Sequence, residues 1–190
     1  MTKIFIRISA ILLLTLIPAI TFAEYNAGVA AYENENYETA YLHFKSAVDE
    51  AGSQYYIGQM YFYGYGVPRD WFTAIKWYKK AASKNHAEAM SSLGDCYNEG
   101  RGVKQNRAEA MKWYLKGARY GDIDAMVAVG ARYGNGDGVK KNPKEAFKWF
   151  SKAANEGDAG GQFNLCIMYY KGEGVKKDYY KAFEMCKKSA

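Results

Sequence analysis

Two histidines and three cysteines are the side chains of this chain best suited to metal or nucleophilic chemistry, and their spacing supports neither. His43 and His86 stand in different segments, with no His-Glu-x-x-His or Cys-x-x-Cys pattern to bring ligands onto one face, so no zinc site is expected. Four glycine pairs, opening at Gly64, Gly100, Gly136 and Gly172, invite comparison with phosphate-cradling loops. Such a loop follows a strand and aims helix N–H groups at an anion. These pairs lack Gly-Lys-Ser/Thr and recur at a fixed step, which is how a structural turn behaves. The stretch Asn135-Gly136-Asp137-Gly138 has no Glu at the bidentate position of a calcium loop, and it too reads as a turn. No cofactor, no metal and no catalysis are expected.

What positions these residues is a repeat, and a period of this size decides the fold class. Gly-x-Gly-Val begins at each of the four glycines, at steps of 36 residues. The same step links Trp77, Trp113 and Trp149, then Met185; it also links Ala74, Ala110, Ala146 and Ala182, and Tyr61, Tyr97, Tyr133 and Tyr169. The units run 53–88, 89–124, 125–160 and a shorter 161–190. Each is expected to be two antiparallel helices, giving an all-α, α/α superhelical solenoid. Leu93 and Tyr97, four apart, share one face of a first helix. Positions equidistant from the turn near residue 104 should face each other, which sets Gly94 against Tyr114, where a missing Cβ lets the ring lie on the backbone. The turn glycines should end the first helix in the left-handed region. Asp70, Asn106, Asn142 and Asp178 should cap the second helix, and Asn85, Gly121 and Gly157 should close it.

Residues 24–52 are a variant of the unit. Ala40, Phe44 and Ala47 lie 34 before Ala74, Tyr78 and Ala81, whereas Gly28 lies 30 before Gly58, so this turn is four residues shorter. A tetratricopeptide-type hairpin serving as an N-terminal cap is expected. On this register His43 takes the place of Trp77 and should be packed or half-buried, while His86 falls in a turn and should be solvated.

Of 190 residues, 49% are apolar and 16% aromatic, which excludes a disordered tail or a fibre. Lys3 and Arg7 precede an apolar run from Ile8 to Ile20 and a small-residue junction at Thr21-Phe22-Ala23, the pattern of a cleaved secretory signal over 1–23. The run is 13 residues long, short of the roughly 20 that span a bilayer. Nothing after Ala23 is apolar for longer, so no integral membrane span is expected after cleavage, and the protein should reach the periplasm or be secreted. Removing the signal lowers the net charge from +6 to +4. Arg69, Lys104, Lys140, Lys141, Lys176 and Lys177 cluster past the turns, either as a solvated edge or as a positive rim that steers an acidic partner. A nucleic-acid partner is not expected.

Leu93-Gly94, Tyr97, Gly100-Arg101-Gly102-Val103, Asn106, Ala110, Lys112-Trp113-Tyr114 and Lys116, with their counterparts in the other units, resemble the Sel1-like repeat proteins. The resemblance covers 53–190 and implies an α/α solenoid acting as an adaptor or ligand-capturing scaffold. Exported members resemble two groups. One comprises binding or regulatory proteins of the cell envelope, including immunity proteins against secreted effectors. The other comprises cysteine-rich proteins that bind or hydrolyse β-lactams, and a β-lactam or peptidoglycan-fragment binder or hydrolase is the alternative function. This sequence departs from that group, having only three Cys, and it lacks Ser-x-x-Lys and Lys-Thr-Gly.

The repeat supplies a control for the aromatics. Trp77, Trp113 and Trp149 recur and read as buried framework. Phe62, Tyr63 and Tyr65 correspond to Asn98, Glu99 and Arg101 one unit later, and Trp71 and Phe72 to Arg107 and Ala108. With Tyr55, and with Phe163 and Tyr170 in the last unit, they are the candidate partner-binding residues of a concave face whose middle, at Ser91, Asp95, Asn98 and Glu99, is polar and mildly acidic. Two readings stand: these rings anchor a protein partner, or those of the first unit seal its junction with the cap.

Cys166 stands where other units have glycine, and Cys186 where they have Tyr78, Tyr114 and Phe150. Conserved volume across one contact could explain the exchange, but an oxidising compartment favours a Cys166–Cys186 disulfide, leaving Cys96 as an odd thiol. The last unit replaces Trp-Tyr with Met185-Cys186 and stops at Ala190. Its end face is expected to be covered, by self-association or by the partner.

Overall fold

The computed structural model describes residues 19–190. The expected signal therefore lies outside the described residues up to position 18, and its junction at Thr21-Phe22-Ala23 falls inside a helix, α1, running 19–33. The chain divides into two compact units, Met1–Lys84 and Asn85–Ala190. The first holds α1, α2 (Tyr37–Ser46), α3 (Ala51–Tyr63) and α4 (Trp71–Ser83). The second holds α5 (Ala87–Glu99), α6 (Arg107–Arg119), α7 (Ile123–Asn135), α8 (Pro143–Asn155), α9 (Ala159–Lys171) and α10 (Tyr179–Lys188). Among the described residues there are ten helices and no strand. First helices start at 51, 87, 123 and 159; a frame drawn from 53 cuts each two residues late, though the period is unchanged.

One hydrogen-bond pattern reverses the chain in each of the four pairs joined by Gly-x-Gly-Val. In the second repeat the Gly100 and Arg101 amides donate to Cys96 O at 2.9 and 3.0 Å, and the Asn106 amide donates to Tyr97 O at 2.8 Å. The recurring tyrosine thus contributes a backbone carbonyl that fixes where the next helix begins. Asn106 Oδ1 then accepts from the Glu109 amide at 3.0 Å. Asp70, Asn142 and Asp178 cap α4, α8 and α10 in the same way, each cap contributing about 1 kcal/mol. The second turn glycine has a further duty. Gly138 and Gly174 have φ of 71° and 74°, and a Cβ on either would collide with backbone at the start of the preceding second helix, at Arg107 and Pro143 respectively.

The two helices of a pair are held close by a ring lying on a glycine. A Cβ on Gly94 would sit 2.7 Å from Tyr114 Cε1, one on Gly58 2.6 Å from Tyr78, one on Gly130 2.7 Å from Phe150, and one on Gly28 2.7 Å from Phe44. The last contact places α1 and α2 in the same relation, through a turn at residues 34–36. In the fifth pair Cys166 and Cys186 occupy the two positions and are joined, with Cα atoms 5.3 Å apart. The ring that closes each pair is core: Phe44, Tyr78, Tyr114 and Phe150 are all buried.

The tryptophans are less buried than their recurrence suggests. Trp149 is buried, whereas Trp77 and Trp113 are half-buried. A lysine three residues on covers each ring, Lys80, Lys116 and Lys152 lying 4.1, 4.4 and 4.1 Å from the centroids. The indole therefore serves both as packing and as a flat platform for an ammonium group at the solvent boundary.

Gly94→Ala should destabilise by about 1–3 kcal/mol through overpacking, against a helix-propensity gain of about 1 kcal/mol. In a Tyr114→Leu background the same change should cost much less; equal costs in both backgrounds, read by urea unfolding, would refute the ring contact. Ser at Cys166 and Cys186 should lower stability by about 3 kcal/mol, the chain-entropy value for a loop of this length. Thiol titration of the unreduced protein should find Cys96 alone.

Candidate functional site

In the first unit the candidate aromatics separate into two groups. Phe62 is 8% exposed and packs on Tyr78, with ring centroids 6.3 Å apart. It is core, which corrects its expected role as a partner anchor. The Asn98 of the next unit misleads there, because a wider ring at that position simply extends the Gly58–Tyr78 contact. Tyr55 is half-buried against Tyr56 and Tyr78 and its hydroxyl accepts from Gln59 Nε2 at 2.6 Å. Tyr65 stacks on Tyr37 at 4.6 Å and meets Tyr32 edge-on at 6.2 Å, so it seals the junction with the cap pair.

Tyr63, Trp71 and Phe72 remain at the surface. Tyr63 is 53% exposed and stacks on Tyr65 at 5.3 Å. Trp71 sits at the first position of α4, donates from Nε1 to Phe62 O at 3.2 Å, and lies under the Arg69 guanidinium at 5.3 Å. Phe72 is 60% exposed with Lys76 Nζ 4.3 Å above its ring. Tyr65, itself 36% exposed and stacked on the half-buried Tyr37, supports one face of Tyr63, and the backbone hydrogen bond fixes the indole of Trp71. Two basic side chains, Arg69 and Lys76, flank the patch.

The second unit carries its own exposed rings. Phe163 and Tyr170, seven apart on α9, are 52% and 60% exposed, and Tyr170 meets Tyr179 edge-on at 5.5 Å. Tyr179, Tyr180 and Phe183 on α10 are also exposed and were not among the expected residues. Tyr179 and Tyr180 stand where α8 has Pro143 and Lys144, so the repeat comparison contained the signal.

The polar positions expected to line the groove are largely engaged within the second unit. Asp95 accepts from Tyr114 OH at 2.5 Å, Glu99 pairs with Arg101 at 2.5 Å, and Ser91 Oγ donates to Asp122. Arg132, which sequence reasoning missed, is 8% exposed; it pairs with Asp137 at 2.8 Å and lies 4.7 Å over the Tyr114 ring. Asp137 also meets Arg107 at 3.3 Å. Guanidinium groups thus answer the carboxylate of the acidic turn. The six basic residues past the turns are all exposed.

Reactive side chains are quiet. Burial pushes the Cys96 thiol up to about 12, so it carries almost no thiolate near neutrality. Among the described residues no three His, Cys, Asp or Glu converge as a metal site, and no helix is long and apolar enough to cross a membrane. His43 is half-buried and pairs with Glu24 at 2.7 Å. His86 is not the solvated residue expected: it is half-buried and caps α5, Nδ1 accepting from the Ala89 amide at 3.4 Å. Burial holds its pKa below the usual 6.5, opposed by the carboxylates of Glu88 and Asp122. Because the folded value is the lower one, its contribution is complete above the unfolded pKa and declines as pH falls. Thermal melts should show stability falling below about pH 6.5, with that slope reduced in His86→Ser, which keeps a cap but cannot titrate. An unchanged slope would assign it to other groups.

The geometry of paired helices, glycine-locked turns and exposed non-recurring rings can be set beside known proteins. The Sel1 repeat family matches residues 51–86, 87–122, 123–158 and 159–190. These limits coincide with the first-helix starts. A protective antigen of uropathogenic Escherichia coli with an SLR fold superposes with a TM-score of 0.82 at 34% identity, over 89% of this chain and 38% of that one. A Sel1 repeat protein from Oxalobacter formigenes gives 0.74 at 35% identity, over 80% of this chain and 63% of that one. Helicobacter pylori cysteine rich protein B gives 0.52 at 25% identity, over 62% of this chain and 91% of that one. This chain thus spans less than two thirds of the first two. No curated protein matches. With four consecutive matches covering everything after residue 50 and solved Sel1-repeat proteins sharing the fold, this chain belongs to the Sel1 repeat family.

Proposed function

We propose that this protein is a non-catalytic, exported scaffold that captures a protein partner, as an envelope adaptor or as an immunity protein against a secreted effector. The Sel1-repeat scaffold is a fold suited to protein–protein interaction, and one observation carries the reading further. Tyr63, Trp71 and Phe72 are exposed while the next repeat manages with Glu99, Arg107 and Ala108 at the same positions. A fold that does not need large rings there retains three, on supports that restrict their motion. Rigid aromatic surfaces of this kind provide binding energy at low entropic cost. Export is supported by the basic, apolar and small-residue segments at 1–23 and by a disulfide-bonded pair, which an oxidising compartment preserves.

Affinity capture by the exported protein from its native host, followed by mass spectrometry, should return an envelope or secreted protein. Alanine at Tyr63, Trp71 or Phe72 should then weaken that complex by about 1–4 kcal/mol at unchanged stability. Phe62→Ala should instead destabilise the fold, by about 3–5 kcal/mol. Folded Tyr63, Trp71 and Phe72 variants that all bind like wild type would overturn the assignment.

A further inference from the structure

The last helix of the second unit is held differently from its counterparts. α4 and α6 bury five residues each and α8 buries Ala146, Trp149, Phe150 and Ala153, whereas α10 buries Ala182 alone. Where α8 has Trp149, Phe150 and Ala153, the last pair has Met185, Cys186 and Ser189, all half-buried. Phe183 is 64% exposed, although Ile75 and Met111 at the same position of earlier repeats are buried. Met185 packs at the edge of the cluster of Phe150, Leu165 and Met168, and an open cavity of about 370 Å³ lies beside it, between α8, α9 and α10. Hydrogen-bond and ring contacts to α9 lie at the start of the helix. The Asp178 amide donates to Tyr169 O at 3.0 Å, Lys181 Nζ is 5.6 Å from the Tyr169 ring, and Tyr179 meets Tyr170 edge-on. Further along, the ring that rests on glycine in the other pairs is missing, and the Cys166–Cys186 bond stands in its place.

We infer that the Cys166–Cys186 bond is a redox latch: a dithiol reductant frees α10 from α9 while α5 to α8 stay folded. The half-buried Cys186 is the more open to attack, Cys166 being 8% exposed. A thiolate of the reductant attacks Cys186 Sγ, the S–S bond breaks, and Cys166 leaves as a thiolate that takes up a proton. The second thiol of the reductant then attacks the mixed disulfide and releases Cys186 as a thiol. The protein gains two electrons and two protons, and the reductant departs as its own disulfide. At 10 residues, α10 is shorter than the roughly 12–15 at which an isolated helix becomes even marginally stable in water, so it frays once undocked. Each repeat of a solenoid contacts only its neighbours, which confines the change to the last pair. Tyr179, Tyr180 and Phe183 are exposed rings carried by α10, and Tyr179 meets Tyr170 of α9. The latch therefore sets whether these rings are presented together; only their use in binding rests on the capture reading.

The test is amide hydrogen exchange of the full chain, read by mass spectrometry before and after dithiothreitol under native conditions. Reduction should speed exchange over residues 180–189 by about a hundredfold, the factor to which the chain-entropy value for this loop converts, and leave 87–155 unchanged. Reoxidation should restore protection. Cys166→Ser/Cys186→Ser should exchange like the reduced protein with no reductant present. Cys166→Gly/Cys186→Tyr, which gives the last pair the glycine and ring of the second repeat, should hold α10 without the bond and be indifferent to dithiothreitol. Protection over 180–189 that survives reduction, or exchange over 87–155 that rises equally, would overturn the latch. So would a response of the second double variant to dithiothreitol. None of these readouts involves a partner, so their failure leaves the capture reading, with its alanine series at Tyr63, Trp71 and Phe72, untouched.

Discussion

The contact between a glycine on the first helix and an aromatic ring on the second governs the rest of this structure. With no side chain at Gly58, Gly94 or Gly130, the facing ring rests on helix backbone, and the helix pair closes further than two Cβ-bearing residues would permit. That closeness brings the carbonyl of the recurring tyrosine within hydrogen-bond reach of the next N-cap amide, at 2.8 Å in the first two turns. A longer separation would leave a buried carbonyl and a cap amide unpaired. Turn, cap and core are thus consequences of one short interhelical distance. The Cys166–Cys186 pair is the same constraint met covalently, where the glycine has grown and the ring has shrunk.

Because neighbouring units repeat this solution, residues that do not repeat stand out as surplus. The first unit spends some of its surplus on stability: Tyr65 and Phe62 lock α3 to the cap pair and to α4. The remainder, Tyr63, Trp71 and Phe72, faces solvent. In the second unit the surplus charges are engaged within the chain: the buried Arg132 pairs with Asp137 and lies over the Tyr114 ring, whose hydroxyl donates to the exposed Asp95. The Sel1-repeat scaffold that carries these rings is a fold consistent with protein–protein interaction.

Much of this was legible in the sequence because a period of 36 residues acts as its own set of controls. The glycine–ring contacts, the left-handed turn glycines and the Asp and Asn caps depend on local backbone geometry and on residues a fixed distance from one turn, so counting along the chain finds them. The shortened cap turn followed from the same count. What only the tertiary structure decided was which rings are covered. Phe62 and Tyr63 are adjacent and equally non-recurrent, yet one is core and the other exposed, because burial is set by the helices that pack across each face. The His86 cap is local, its partner Ala89 being three residues on, whereas Arg132 became a buried ion because the Tyr114 ring it lies against is on another helix.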